Sequence, residues 1–440
     1  MKKVSSRALA TLLVVALVLV GLVVYLTRLT LYGAEWASFY ANDSVYAAED
    51  GNGAGDLTDR NGVPLITTGD GGFSYSDNSA VRMATLHVTG DLAGNIGTGA
   101  LSVVRSQLVN YSLITGTTGG GSDAALSIDA NLNITAMNAM DGRKGAVMVY
   151  NYQTGEILCM YSGPTYDPLE GIDEDDPAYA GAYINRCISS SFAPGSVFKI
   201  VTLTAAYETR PDLWIGTFYC DGTVILGGQE IICTGTHGTQ TIGQAFTNSC
   251  NCAFAGIATE VGGDALTAAA KRYGLTVEHS LDGIPVKAGS VKSGGDDTGS
   301  VAWQGIGQYE DLLCPYSLLR FMGAIAGGGT AAEPTLQLGA TPEYFSLFSS
   351  SIADRIGAMM GDNVQNSYQY SLSLSGLELH AKTGTAETGT GTYNCWFTGY
   401  ITNSDAPLAF VCVVEDVSYG SGLATAAPIA VAVLQQAVYG

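Results

Sequence analysis

The chain has 440 residues, of which 13% are charged, with 57 glycines and a formal net charge of −21. This length can hold more than one domain and a sizeable core. The acidic balance and the lack of a stretch rich in Lys and Arg argue against nucleic-acid binding, because such binding neutralises phosphates with basic side chains.

The first predicted element is an apolar helix at the N-terminus. The uncharged stretch ALATLLVVALVLVGLVVYL is about long enough to cross the hydrocarbon core of a bilayer. Lys2, Lys3 and Arg7 precede it and favour a cytoplasmic N-terminus with the remainder outside. We therefore predict a cytoplasmic tail over residues 1–7 and a single-pass membrane anchor over residues 8–27. A cleaved signal peptide is less favoured, because its apolar region is usually shorter.

Two domains are predicted to follow. Residues 28–116 mix short apolar runs with Gly, Asn and Asp and are interpreted as a small N-terminal domain. Gly- and Thr-rich residues 117–122 indicate a flexible linker, and residues 123–440 form a larger domain.

The larger domain is predicted to contain a sheet assembled from both ends of its sequence, with helices packed on it. Residues 145–162 are predicted to form two apolar strands joined by a turn at 153–155. A helix is predicted to begin near Ser196, and a second hairpin is predicted at 216–235. Near the C-terminus, the segments CWFTGYIT and PLAFVCVVEDV are predicted as adjacent strands, followed by a final helix.

Nine cysteines lie in the part of the chain that is predicted to be external. Cys220 and Cys233 flank a predicted hairpin whose turn lies at residues 227–228, and we predict a disulfide between them. No metal site and no cofactor are predicted, because the four histidines are scattered and Cys250 and Cys252 lack the spacing of a zinc-ligand pair.

Three short motifs carry the candidate chemistry. FAPGSVFK places Ser196 and Lys199 one turn apart on the same face of the predicted helix. TNSCN contains Ser249 and Asn251, and HAKTGT begins its K-T-G-T segment at Lys382 and continues with Thr383, Gly384 and Thr385. S-x-x-K, S-x-N and K-[ST]-G in this order are the signature set of serine penicillin-binding proteins and serine β-lactamases.

These residue types suit acyl transfer. An amide carbonyl needs an activated hydroxyl, and desolvation lowers the pKa of an amine, so that Lys199 could accept the proton of Ser196. Ser249 is a candidate proton relay toward the leaving amine, held between two lysines. Asn251 is a candidate partner for the backbone amide of a substrate and for Lys199. Lys382 would attract a substrate carboxylate.

The residues after Lys382 are predicted to bind substrate. The hydroxyls of Thr383 and Thr385 would assist the lysine in holding the carboxylate, and Gly384 would let the substrate lie close against the strand edge. The backbone N–H groups of Ser196 and Thr385 are the candidate oxyanion hole, since the first lies at a helix start.

The sequence resembles class B penicillin-binding proteins, the membrane-anchored D,D-transpeptidases of bacterial cell-wall synthesis, over nearly the whole predicted external chain. Residues 55–65 resemble the family's R-G-x-I-x-D-R-N-G segment, with Ala54 where arginine is usual. Residues 82–100 resemble the pedestal domain of the Gram-positive elongation-type members. YINRCISSSFAPGSVFK is similar to N-R-A…Y-x-P-G-S-x-F-K, and GIGQYEDLLCPYSLLRFMGAIAGGG is similar to the family's G-Q…T-P-L-Q…A-N-G-G stretch.

This resemblance implies a fold, a reaction and partners. The fold would be an α+β transpeptidase fold, with a central antiparallel sheet sandwiched by helices as in β-lactamases, after a pedestal and a transmembrane helix. The substrate would be a peptidoglycan stem peptide ending in D-Ala-D-Ala. Ser196 would attack the penultimate D-alanine, the terminal D-alanine would leave, and an acceptor amine would resolve the acyl-enzyme. β-Lactams would acylate the same serine, and a membrane glycosyltransferase would be the expected partner.

Two alternatives stay open at this point. A β-lactam-hydrolysing or β-lactam-sensing protein would share the fold, but the pedestal and the flanking resemblances argue against it. The acidic residues at 171–179 precede the nucleophile and are interpreted as a solvated loop rather than as the source of a deacylation base. A non-catalytic cell-wall scaffold is the other alternative, and the intact motifs argue against it.

Overall fold

The computed structural model describes residues 2–37, 54–69, 72–109, 111–112, 116–117, 121–403 and 405–440. The predicted linker at 117–122 lies partly outside these residues. The strands within them are β1 (Leu57–Thr58), β2 (Pro64–Gly69), β3 (Gly72–Tyr75), β4 (Tyr111–Ser112), β5 (Gly116–Thr117), β6 (Ala124–Ala125), β7 (Gly145–Asn151), β8 (Ile157–Gly163), β9 (Thr217–Cys220), β10 (Thr223–Leu226), β11 (Gln229–Ile232), β12 (Gly238–Thr241), β13 (His279–Leu281), β14 (Ile284–Val286), β15 (Thr330–Ala332), β16 (Tyr344–Ser346), β17 (Leu379–Glu387), β18 (Tyr393–Ile401) and β19 (Leu408–Val417).

The α-helices of the described residues lie between groups of these strands along the chain. They are α1 (Lys2–Ala37), α2 (Ser79–Thr89), α3 (Leu101–Val109), α4 (Ala130–Met140), α5 (Arg186–Ser189), α6 (Phe198–Thr209), α7 (Ile242–Thr247), α8 (Asn251–Val261), α9 (Gly263–Arg272), α10 (Thr298–Gln304), α11 (Pro315–Ala326), α12 (Ser350–Asn363) and α13 (Ala427–Tyr439).

A five-stranded antiparallel sheet in the order β17–β18–β19–β7–β8 forms the centre of the larger domain. Strands β7 and β8 are the hairpin predicted at 145–162, and β17 to β19 come from the C-terminal part of the chain. The two groups join where β19 pairs with β7, so that Leu408 lies opposite Asn151 and Val414 lies opposite Gly145. The prediction that both ends of the domain build one sheet is confirmed.

Helices cover both faces of this sheet. Ala146 and Met148 of β7 point into one core cluster, while Val147 and Val149 point into the other, as the two-residue period of a strand requires. Helix α11 packs on the first face, and α4 and α13 pack together on the second. Burial on both faces explains why the strands are apolar at nearly every position, and it confirms the predicted sandwich.

The N-terminal part of the described chain contains a smaller sheet in the order β3–β2–β1–β6. Its strand β6 lies beyond the predicted linker and pairs in parallel with β1. The buried carboxylate of Asp59 accepts hydrogen bonds from the backbone N–H groups of Val63 and Ala130, the latter at the start of α4. Arg82 forms a two-point ion pair with Asp167. The Asp59 contacts connect the small sheet to the larger domain, and the Arg82–Asp167 ion pair connects α2 to it.

Helix α1 contains the predicted anchor. Its segment Ser6–Leu31 is apolar, unburied and long enough to cross a membrane, and it includes all of residues 8–27. A second stretch, Gly422–Tyr439, meets the same length and composition criteria, but its helix α13 is partly buried against the central sheet.

Candidate active site

Ser196 lies in a tight turn between α5 and α6. A 3₁₀ turn at Gly195–Val197 leads directly into α6, so the predicted helix start is present, and the serine side chain is partly exposed. Gly195 has φ = +52° and its N–H donates to the carbonyl of Gly307 at 2.9 Å. The indole Nε1 of Trp396, on β18, donates to the carbonyl of Ala193 at 2.9 Å. The turn that carries Ser196 is therefore held against the central sheet.

Lys199 is fully buried one helical turn after the serine. Its Nζ donates to the carbonyl oxygen of Ser249 at 2.5 Å, to Oδ1 of Asn251 at 2.7 Å and to Oγ of Ser249 at 3.2 Å. Burial lowers the pKa of Lys199 well below its ordinary value, and the charge of Lys382 lowers it further. Both effects favour the neutral amine, which can donate only two of these three hydrogen bonds and has a lone pair that can accept a proton.

Ser249 lies between the two lysines, as predicted from the sequence. Nζ of Lys382 donates to Oγ of Ser249 at 3.0 Å and to the carbonyl oxygen of Thr383 at 3.1 Å. Lys382 is also fully buried, and burial lowers its pKa to about 7. Ser249 has φ = +50°, a left-handed conformation that is uncommon outside glycine. One hydroxyl thus connects two buried amines.

Strand β17 presents backbone groups at the open edge of the sheet. The N–H of Thr383 donates to the hydroxyl of Tyr368 at 3.0 Å, away from β18. Because backbone groups on a strand alternate in direction, the N–H of Thr385 lies on the same open edge. The carbonyl of Thr385 accepts from Nε2 of Gln308 at 3.4 Å on this edge. The Thr385 N–H is therefore positioned where a substrate oxygen could approach.

Gly384 lies against the turn of Ser196, and its predicted role in the close approach of substrate stays a prediction. A Cβ at this position would lie 2.6 Å from the carbonyl oxygen of Pro194 and 3.0 Å from Cγ1 of Val197. A Cβ at Gly195 would lie 2.6 Å from the carbonyl oxygen of Thr385. Both glycines are needed because the turn of Ser196 packs backbone-to-backbone against β17.

Contacts from three residues outside the motifs complete the site. The hydroxyl of Tyr368 lies 2.9 Å from Oγ1 of Thr383, Gln308 contacts Thr385, and the N–H of Gly422 donates to Oγ1 of Thr385 at 3.1 Å. Both threonine hydroxyls that were predicted to bind a carboxylate thus have protein partners. The resemblance at GIGQ could have indicated Gln308, whereas Tyr368 and Gly422 lie in no motif and reach β17 only through folding.

The predicted disulfide between Cys220 and Cys233 is wrong. All nine cysteines lie in the described part of the chain, and none of them forms a disulfide. The hairpin turn at residues 227–228 is present between β10 and β11, but it directs Sγ of Cys233 toward Sγ of Cys250, at 3.7 Å. His237 and Cys220 lie beside this pair. Folding thus assembles metal-ligand types that are scattered in the sequence.

Comparison with known proteins identifies the family of the larger domain. The family described as penicillin binding protein transpeptidase domain matches residues 145–435, about two thirds of the chain. The chain belongs to this family. A protein of Mycolicibacterium smegmatis named peptidoglycan D,D-transpeptidase PbpA is 28% identical over 338 residues, and the match covers 68% of each chain. The chain therefore has relatives in this family that match it across most of its length.

Solved penicillin-binding proteins share the fold. Penicillin-binding protein A of Mycobacterium tuberculosis, in a ceftriaxone acyl-enzyme complex, superposes with a TM-score of 0.77 and 24% identity, covering 90% of this chain and 99% of that one. The D,D-transpeptidase domain of a peptidoglycan glycosyltransferase from Eggerthella lenta has a TM-score of 0.75 and 25% identity, covering 88% and 98%. The predicted penicillin-binding transpeptidase fold is confirmed.

Proposed function

We propose that this chain is a serine D,D-transpeptidase, which crosslinks peptidoglycan stem peptides through an acyl-enzyme with release of terminal D-alanine and is acylated by β-lactams. The observation that carries the proposal is the hydroxyl of Ser249, which two buried lysines hold at 3.2 Å and 3.0 Å. Relatives named peptidoglycan D,D-transpeptidases support it, and so does the β-lactam acyl-enzyme of M. tuberculosis penicillin-binding protein A.

In the acylation step, Oγ of Ser196 attacks the carbonyl carbon of the penultimate D-alanine, and its proton passes to the neutral amine of Lys199. The lowered pKa of Lys199 makes that neutral form available. The oxyanion accepts hydrogen bonds from the N–H groups of Ser196 and Thr385. The peptide bond to the terminal D-alanine then breaks, and its nitrogen takes a proton through Ser249, whose hydroxyl both ammonium groups reach.

Transfer completes the cycle. The amine of a second stem peptide attacks the ester carbonyl, gives up its proton along the same path, and Ser196 is released with its own proton restored. A β-lactam undergoes the first half of this cycle, in which its ring amide opens on Ser196. Its leaving nitrogen stays attached to the acyl group, so the ester persists.

Substrate binding uses the positive charge of Lys382 for the terminal carboxylate and the amide of Asn251 for the stem-peptide backbone. We also assign Thr383, Gly384 and Thr385 to the substrate-binding strand. A cavity of about 500 Å³ lies beside the turn of Ser196, and its lining includes Phe192, Ala193 and Gln308. The cavity also reaches Glu387 at the end of β17, and its volume suits a peptide segment that passes this end of the strand.

The apolar helix α1 would anchor the protein through residues 8–27. The positive charges of Lys2, Lys3 and Arg7 favour a cytoplasmic N-terminus, with the transpeptidase domain outside. A membrane glycosyltransferase would then supply the glycan strands whose stem peptides this chain crosslinks.

Incubating the full chain in detergent with a fluorescent penicillin tests the proposal. We expect stable covalent label on the peptide that contains Ser196, no label on Ser196→Ala, and full label on the control Ser191→Ala, a partly exposed serine five residues earlier in the chain. Rapid loss of label with hydrolysis of the drug would instead indicate a β-lactamase. A folded wild-type chain without label would indicate a scaffold.

A further inference from the structure

Four side chains of metal-binding types meet beside the active site. Cys220 ends β9, Cys233 follows β11, His237 precedes β12, and Cys250 lies directly before α8. Each offers one ligand atom, and these four atoms all lie within 4.8 Å of one another. Residues from three separate segments of the chain therefore bring their ligand atoms together at one point.

Two distances from Cys233 match the edges of a metal-centred tetrahedron, and all four ligand atoms lie within 4.8 Å of one another. Sγ of Cys233 lies 3.7 Å from Sγ of Cys250 and 3.6 Å from Nδ1 of His237. A tetrahedral zinc ion with Zn–S of about 2.3 Å and Zn–N of about 2.0–2.1 Å separates two sulfur ligands by about 3.8 Å and sulfur from nitrogen by about 3.5 Å. A disulfide would bring two sulfurs to about 2.05 Å. The observed spacing fits a shared ion.

The backbone around the cluster is arranged to receive thiolates. The N–H of Asn251 donates to Sγ of Cys233 at 3.2 Å, and the N–H of Ala253 donates to Sγ of Cys250 at 3.4 Å. Both N–H groups belong to the first turn of α8, where the helix dipole favours negative charge. Such outer hydrogen bonds orient metal ligands and stabilise their charged form. Cys250 is also fully buried, and Cys220 is nearly so.

We propose that Cys220, Cys233, His237 and Cys250 form a structural zinc site. Three thiolates and one imidazole in tetrahedral spacing are a donor set typical of Zn²⁺, an ion without redox chemistry of its own. Four protein ligands complete the tetrahedron and leave no open coordination position. The ion would therefore stabilise the fold rather than bind substrate. Cys252, two residues after Cys250, lies outside the group of four.

The metal site would position the short loop at residues 249–251, which we call the catalytic loop. Cys250 lies between Ser249 and Asn251, both of which contact Lys199. Ser249 holds a left-handed backbone conformation, which the surrounding structure must impose. A metal bond to Cys250 fixes this short loop against the β9–β12 segment. This consequence for catalysis rests on the proposed function, whereas metal binding itself does not.

Metal content tests the site directly. The full chain is purified in detergent without chelator and under reducing conditions, and its zinc content is measured by inductively coupled plasma mass spectrometry. We expect about one zinc ion per wild-type chain, loss in Cys250→Ser and His237→Ala, and retention in the matched control Cys252→Ser. A zinc-free wild type, or a disulfide between Cys233 and Cys250 in a non-reducing peptide map, would overturn the site. Loss of zinc in Cys252→Ser would overturn this ligand set.

A spectroscopic readout on the wild type avoids dependence on variants that fail to fold. Zinc is removed from the wild-type chain with a chelator and replaced by Co²⁺. The absorption spectrum should then show thiolate-to-cobalt charge-transfer bands and the visible d–d bands of a tetrahedral Co²⁺ ion. Octahedral bands without charge transfer would contradict the assignment. Stripping should also slow acylation by fluorescent penicillin about tenfold or more, with recovery on adding Zn²⁺.

These readouts separate the two proposals. A chain that holds zinc but never reacts with penicillin would refute the transpeptidase function and leave the metal site standing. A chain that reacts with penicillin but holds no metal would refute the site alone. An acylation rate unchanged after complete stripping would refute the positioning role of the ion.

Discussion

Gly384→Ala tests whether the turn of Ser196 must pack directly on β17. The added Cβ would lie 2.6 Å from the carbonyl oxygen of Pro194, whereas ordinary contact begins near 3.4 Å. The turn and the strand must therefore separate by about 0.8 Å or distort. The partner that has to move is backbone, which cannot rotate away as the end of a side chain could.

Two quantities follow from this displacement. Overpacking of this kind costs about 1–3 kcal/mol of unfolding free energy, which corresponds to a Tm lower by about 2–5 °C in a domain of this size. A misplacement of 1 Å can reduce an enzymatic rate by roughly 10²-fold, so we expect penicillin acylation to slow by about 10- to 100-fold. Acylation should be affected as strongly as stability, because Ser196 moves relative to the N–H of Thr385 and each tenfold in rate is about 1.4 kcal/mol.

Differential scanning calorimetry and stopped-flow acylation measure the two effects. Gly256→Ala is the matched control, because a Cβ at this position of α8 meets no atom within 4 Å. This control should gain about 0.5–1 kcal/mol through helix propensity and acylate at the wild-type rate. Wild-type Tm and acylation in Gly384→Ala would refute the packing argument.

Three further predictions concern the buried amines and the anchor of the nucleophile turn. Ser249→Ala removes the acceptor that both lysines share and should slow acylation about 10²-fold or more in stopped-flow measurements, since the proton relay is lost. The acylation rate should have a bell-shaped pH profile, because Lys199 must be neutral, above its lowered pKa, while Lys382 loses its charge above about pH 7. Lys382→Arg should then remove the alkaline limb. Trp396→Phe removes the hydrogen bond to Ala193 and should lower the unfolding free energy by about 1 kcal/mol in urea titrations.

Each of these predictions has a contrary outcome. Ser249→Ala with an unchanged acylation rate would remove the relay from the mechanism. An alkaline limb that persists in Lys382→Arg would mean that another group titrates there. If Trp396→Phe unfolds at the wild-type urea midpoint, the indole does not hold the turn of Ser196.

The larger part of the fold was accessible from the sequence because its strands and helices differ in local pattern. The hairpin at 145–162 and the two C-terminal strands are apolar runs of strand length, and the turn at 227–228 is a glycine pair. Both glycines of that turn have positive φ, +57° and +77°, as the prediction requires. What no local pattern contains is the pairing of β19 with β7, which joins segments from opposite ends of the domain.

The candidate site was accessible for a related reason. S-x-x-K places Ser196 and Lys199 within one turn, and the other two motifs name Ser249, Asn251 and Lys382. Their types and order were sufficient to predict that a serine hydroxyl would lie between two lysines. The distances of 3.2 Å and 3.0 Å, and the complete burial of both amines, depend on packing between distant elements.

The sequence by itself determined the residue types of the chemistry, the apolar N-terminal helix and the strands of the sheet, because each depends on neighbours within a few positions. Only the tertiary structure decided that Gly384 makes room for the turn of Ser196, and that Cys233 faces Cys250 rather than Cys220. Those outcomes depend on where separate segments come together in space, which local spacing does not encode. The same convergence brings His237 to three thiols that the sequence leaves apart.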